Sequence, residues 1–361
     1  MDKNQTYYEE SNVERFGRNL KNAIFKAYYN IISNQFQMQI IYLLLVLVEA
    51  IQILTIISFN ISKNQDSTSY PTNFSQINDI LPILQIILIF YPNKEFLTSS
   101  IIMYVVLFLL MIQYGFFIYY FNNDIDIKKP KKFFTVLLMR IFLILNILFQ
   151  KLLTIPILVT CLSFFQCTKV AVSSTLINFP TTTCENEWYY VNVCISFFVL
   201  VMFLLLVFLN CMFLNDSRPI SVLPWSGPKN HIQFCYVSLK VILSVFYVFN
   251  SSRPFYDIKI FVILVIIAVI IGCRVFNPLY HHNGPLSLEV IMEGTFLFVS
   301  ILAIINYYIN ISYDIVTVIS QIVIGFIFGY ALLNIVNQVK DYYLNIDVMI
   351  MFNIKLLDKN N

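Results

Sequence analysis

Long apolar runs separated by short polar connectors set the pattern of this chain. Residues 97–121 form 25 consecutive positions without a charge, and at about 1.5 Å per residue they cross a bilayer core of roughly 30 Å with some tilt. They predict a membrane-spanning helix. The turn Lys128-Lys129-Pro130-Lys131-Lys132 follows directly, and short positively charged connectors are the ones kept in the cytosol. Lys128, Lys129, Lys131 and Lys132 therefore mark an inward-facing loop from which the other crossings are counted.

Counting from that loop predicts an all-α polytopic bundle with eight spans, at about 38–59, 97–121, 152–170, 188–214, 233–250, 258–276, 288–310 and 315–333. Both termini then lie in the cytosol, with residues 1–37 as an N-terminal segment, 38–333 as the transmembrane domain and 334–361 as a short tail. In the N-terminal segment Val13, Phe16, Leu20, Ile24, Ala27, Tyr28 and Ile31 recur on one helical face, which predicts an amphipathic helix either on the inner membrane surface or capping the bundle. Residues 80–91 are apolar but reach only about 18 Å, so they read as interfacial or re-entrant. Residues 133–150 are assigned to the cytosolic interface, because an Arg140 or Lys151 at mid-membrane costs about 2.5 to 3.5 kcal/mol on insertion scales. The third span is then expected to kink at Pro156. A polar segment of nearly forty residues precedes the first apolar run, so the first span is expected to act as a signal anchor in place of a cleaved signal peptide.

Composition agrees with this reading. Of 361 residues 58% are hydrophobic and 12% charged, with mean hydropathy +0.74, whereas about a quarter of a soluble domain is charged. The net charge of +3 is too small to point to nucleic acid. Of the 23 Lys and Arg residues, fifteen fall in the expected inner tails and loops and five in the outer ones. That asymmetry orients the bundle.

Candidate chemistry is sparse. Cys167 and Cys184 share the expected outer loop, an oxidising environment, and a disulfide between them would contribute about 3 kcal/mol on the chain-entropy model; two free thiols are the alternative. Glu49, Gln52, Lys240, Glu289 and Glu293 are the polar groups expected at membrane depth, where such residues pair, face the bundle interior or line a pathway. Glu49 and Gln52 share a helix face, as do Glu289 and Glu293. One reading is an ion or proton route. The other is a Glu49–Lys240 pair, or a Lys240 that snorkels to the inner surface, with Glu289 and Glu293 near the inner headgroups. Gly325 and Gly329 form a Gly-x-x-x-Gly pair suited to close helix packing within the bundle or between copies. The adjacent His281 and His282 read as solvated loop residues, and Asn73-Phe74-Ser75 is the best-placed glycosylation sequon. No hydrolase, zinc-protease, P-loop or redox-cysteine motif is present, so neither an enzyme nor a bound cofactor is expected.

Four stretches occur in order: Glu49-Ala50-Ile51-Gln52, then Asp216-Ser217-Arg218-Pro219 leading to Trp225, then Lys240, then Asn277-Pro278-Leu279-Tyr280. Their succession, across Phe16 to Asn337, resembles the N-terminal multi-pass membrane region of the tiny macrocysts B-like proteins of protists, many of which continue into a cytosolic PAS domain and long signalling regions. The resemblance implies the membrane module of a sensory or signalling protein in the plasma membrane or an endomembrane. Only residues 334–361 follow the last span, so no PAS domain is expected here and a sensory role would need a cytosolic signalling partner or a homo-oligomer. Two other classes stay open, an ion channel or secondary transporter and a structural subunit of a membrane complex. In all three the lipid bilayer is the first partner.

Overall fold

The computed structural model describes residues 39–62, 96–122, 133–170, 173–176, 184, 187–213, 230–249, 256–276, 284–309 and 315–359. Their helices are α1 (Gln39–Ser62), α2 (Phe96–Asn122), α3 (Phe133–Lys151), α4 (Thr154–Ser163), α5 (Glu187–Phe213), α6 (Asn230–Val248), α7 (Tyr256–Phe276), α8 (Gly284–Ile309) and α9 (Ile315–Lys359). A two-stranded antiparallel hairpin, β1 (Cys167–Val170) and β2 (Ser173–Leu176), is the one departure from helix among the described elements. The amphipathic stretch 13–31, residues 80–91, Asn73, the lysine turn 128–132, His281 and His282 lie outside the described residues. So do Asp216 to Trp225 and Asn277 to Tyr280.

Three helical stretches are long and apolar enough to cross a membrane: Phe96–Tyr119, Glu187–Met212 and Ile319–Val339. A fourth arises if Arg140–Lys151 and Thr154–Ser163, bent by 63° at their junction, are taken as one broken span. Ile40–Leu54, Gln233–Val248 and Phe261–Cys273 are shorter apolar helices. The outward surface matches a lipid environment, with Leu97, Phe108, Trp188 and Ile327 exposed where a soluble protein would place polar groups.

Side-chain contacts fix the relative directions of the helices. Tyr104 donates to Asn192 Oδ1 at 3.3 Å and Tyr114 donates to the Met202 carbonyl at 2.8 Å, so α2 and α5 run parallel. Phe96 packs on Phe164 and Phe117 on Phe142, with ring centroids 5.6 and 5.1 Å apart. The α3–α4 unit therefore runs antiparallel to α2.

The short α4 is the hub of the bundle. All ten of its residues are buried, the signature of a helix enclosed on every side. Ile155, Val159 and Leu162 join a core shared with α1, α6, α7 and α8, while Ile157, Leu158 and Cys161 join a second core with α2 and α5. Its terminus is anchored too, since Ser196 of α5 donates to the Cys161 carbonyl at 2.8 Å.

Four expectations change here. The third span does not continue to Val170, because α4 ends at Ser163 and residues 167–170 are a strand. The chain bends at Leu152–Leu153 and not at Pro156, which sits in the first turn of α4, where a missing backbone N–H costs no helical bond. Residues 133–150 are not simply interfacial. Phe142, Leu143, Asn146, Ile147, Phe149 and Gln150 are buried while Leu137, Arg140, Ile141 and Ile144 face outward, so one side of α3 belongs to the core. The last helix also passes the expected end of the span at residue 333 and runs unbroken to Lys359.

Gly325 and Gly329 set the contact of α9 with α8. A Cβ on Gly329 would collide with the Ile291 carbonyl, and one on Gly294 would lie 2.6 Å from Gly329 Cα. A Cβ on Gly325 would lie 3.0 Å from Thr295 Cγ2. The backbones meet directly, the packing that small residues permit inside a membrane bundle.

Beyond the end of α4, Cys167 and Cys184 are joined by a disulfide with Cα atoms 6.4 Å apart. It ties β1 to the approach to α5. Mutating both cysteines to serine is expected to lower stability by about 3 kcal/mol, and the unsubstituted protein is expected to shift in gel mobility on reduction. Full alkylation of both thiols without reductant would contradict the bond.

Candidate functional site

Four helices distant in sequence bring charged side chains to one buried point. On α1, Tyr42, Glu49 and Gln52 are spaced by seven and three residues and so share a face. On α6, Tyr236 and Lys240 are one turn apart, and on α8 so are Glu289 and Glu293. Lys151 is the last residue of α3. Glu49, Lys151, Lys240, Glu289 and Glu293 are each 3% exposed or less.

Lys240 pairs with Glu49. Lys151 Nζ lies 3.3 Å from Glu49 Oε2 and 2.8 Å from Glu289 Oε1. The order Lys240, Glu49, Lys151, Glu289 is an alternating chain of two cations and two anions, neutral as a unit, that links α6, α1, α3 and α8. Tyr42 ends it by donating its hydroxyl to Glu289 Oε1 at 3.0 Å. Aromatic faces line the ammonium groups: Lys151 Nζ is 5.3 Å from the Tyr42 ring centroid and 5.4 Å from that of Tyr236, and Lys240 Nζ is 5.5 Å from the latter. Cation–π attraction strengthens in such a desolvated setting.

The break between α3 and α4 belongs to the same site. A helix end leaves its last carbonyls without intrahelical donors and carries partial negative charge. Here Lys240 Nζ donates to the Gln150 carbonyl at 2.6 Å, Gln52 Nε2 to the Leu152 carbonyl at 3.1 Å, and Thr154 Oγ1 to the carbonyls of Phe149 and Gln150 at 2.7 and 2.8 Å. Side chains of α1 and α6 thus cap an interrupted helix inside the bundle. Irregular backbone is tolerated at membrane depth only when enclosed by protein in this way.

The structure brings together Glu49, Gln52, Lys240 and Glu289 from the residues singled out in the sequence. Lys240 does not snorkel, because Glu49 and a helix terminus satisfy it internally, and Glu289 sits in the ion-pair chain instead of at a headgroup. Glu293 is buried one turn further along α8. Gly325 and Gly329 act elsewhere, at the α8–α9 contact. Sequence reading missed Tyr42 and Tyr236 and left Lys151 out of the site, although the boundary it set between residues 150 and 152 falls at the α3–α4 break. A usable signal existed: Tyr42 precedes Glu49 by two helical turns and Tyr236 precedes Lys240 by one. Among the described residues no group of His, Cys, Asp or Glu is arranged to hold a metal ion.

Breaking a buried pair strands a charge and costs about 3 to 5 kcal/mol, whereas removing both partners costs much less. Lys240→Met is therefore expected to destabilise the protein strongly, and Glu49→Gln added to it is expected to recover part of the loss. Thermal unfolding in detergent checks this as a double-mutant cycle. Strictly additive losses would contradict the pairing.

No family model, curated protein or solved structure matches this chain.

Proposed function

We propose that this chain is an eight-crossing integral membrane protein with cytosolic ends, and that its bundle is the membrane module of a signalling protein. The parallel run of α2 and α5 supports the count, since it is what a single return crossing by α3 and α4 together would require. The disulfide supports an oxidising, outer location for the loop after α4. The sequence resemblance to tiny macrocysts B-like proteins supports the signalling class.

One observation carries the reading. Glu289 of the ion-pair chain and the backbone contact with α9 lie on the same helix within two turns, because Ile291, Gly294 and Thr295 are the α8 residues against Gly325 and Gly329. Packed backbones have little room to slide independently. A rearrangement of the charges that moves α8 therefore carries α9 with it. With 45 residues, α9 is roughly 68 Å long, more than twice the thickness of the hydrocarbon core. It can deliver such a movement well beyond the membrane.

An ion route is the second reading. The interrupted α3–α4 unit beside buried charges favours it, since broken helices with ionisable neighbours are how many transporters build their sites.

Spin labels at Tyr119→Cys on α2 and Tyr342→Cys on α9, both exposed, report the coupling in proteoliposomes. Glu289→Gln is expected to shift their distance distribution. An unchanged distribution in folded protein would overturn the coupling, and a proton or monovalent-cation flux lost in Glu293→Gln would assign the function to the ion route instead.

A further inference from the structure

Gln113 on α2 and Asn146 on α3 are buried amides, 1% and 0% exposed. Both lie one turn from the Phe117–Phe142 contact, Gln113 four residues before Phe117 and Asn146 four residues after Phe142. Because α2 and α3 run antiparallel, these steps lead in the same direction and set the two amides in the same layer between the helices. Asn146 Nδ2 donates to the Phe142 carbonyl at 2.8 Å, which leaves Asn146 Oδ1 without a donor. Gln113 Oε1 and Nε2 both lack a hydrogen-bond partner in the protein. Two amides are thus withdrawn from bulk solvent with one donor group and two acceptors unmet.

The same face of α3 continues to Gln150, four residues on, whose Nε2 reaches only the Cys211 sulfur at 3.7 Å. Lys151 follows with its two carboxylate partners. Polar side chains therefore track along α3 from the Gln113 layer to the ion-pair chain. Such groups persist in a core when a partner satisfies them, and a species that donates and accepts in several directions between two helices is water, which typically makes about three hydrogen bonds when buried. An apolar occupant would leave the amides unmet.

We propose that Gln113 and Asn146 hold ordered water between α2 and α3, and that this water runs along Gln150 to give the Lys151–Glu289 pair aqueous access. This concerns access to the charges and holds whether the bundle signals or carries ions.

The test uses full-length protein with its five free cysteines replaced by alanine, in liposomes, and a small charged methanethiosulfonate as probe. Thiol modification needs thiolate and hence water, so Asn146→Cys and Gln113→Cys are expected to react about tenfold faster than Leu143→Cys, a buried apolar control on α3. Equal rates would overturn the proposal. Since a substitution can loosen the bundle, hydroxyl-radical footprinting of the unsubstituted protein gives a second readout. Radicals formed from bound water are expected to oxidise Phe142 and to spare Phe296, which is buried in the core that α4 shares with α1, α6, α7 and α8. A Phe142 ring no more oxidised than Phe296 would equally overturn it.

Discussion

Charge enclosed in an apolar bundle has to be answered by opposite charge, and that requirement organises this protein. An isolated ammonium or carboxylate withdrawn from water costs several kcal/mol even after relaxation. The chain meets the constraint by alternation: Lys240, Glu49, Lys151 and Glu289 each face an opposite neighbour. Every link joins a different pair of helices. The ionic contact therefore sets how α1, α3, α6 and α8 register against one another, a task that lipid-like apolar surfaces perform poorly because they have no preferred partner in a membrane.

Lys240 also helps explain how a helix can stop inside the bundle. The α3–α4 junction frees carbonyls that an apolar core cannot solvate, and Lys240, Gln52 and Thr154 supply the donors. Lys240 thereby serves two roles, as counter-ion to Glu49 and as cap of α3. With α3 turned aside, α4 can stand at the centre with all its residues buried and contribute to two separate cores. The arrangement concentrates adjustable electrostatics at one end of α4, while α8 joins that point to the glycine contact with α9.

Helix positions were largely legible in the sequence. The apolar stretches 97–121, 188–214 and 258–276 coincide with the helices α2, α5 and α7 to within two residues at either end, because uninterrupted apolar runs leave few alternatives in lipid, and of these α2 and α5 are long and apolar enough to cross a membrane. The region 133–170 resisted for a physical reason. A hydropathy argument treats Arg140, Gln150 and Lys151 as costs against the bilayer and moves them to the interface, whereas Lys151 is satisfied by carboxylates more than a hundred residues away along the chain. Pro156 drew the kink to itself although the first turn of a helix tolerates it. Glu49 and Lys240 were recognisable as a pair from their depth alone. Lys151 joining them, and Glu289 closing the chain, depended on tertiary geometry that no local pattern encodes.

The most direct measurement is an experimental density map of the protein in a lipid nanodisc at a resolution that defines side chains. The account predicts continuous density from the Lys151 ammonium to the carboxylates of both Glu49 and Glu289, beside a helix interrupted at Leu152–Leu153 within the bundle. A Lys151 side chain extended to the lipid headgroups, with α3 lying apart from α1 and α8, would contradict it.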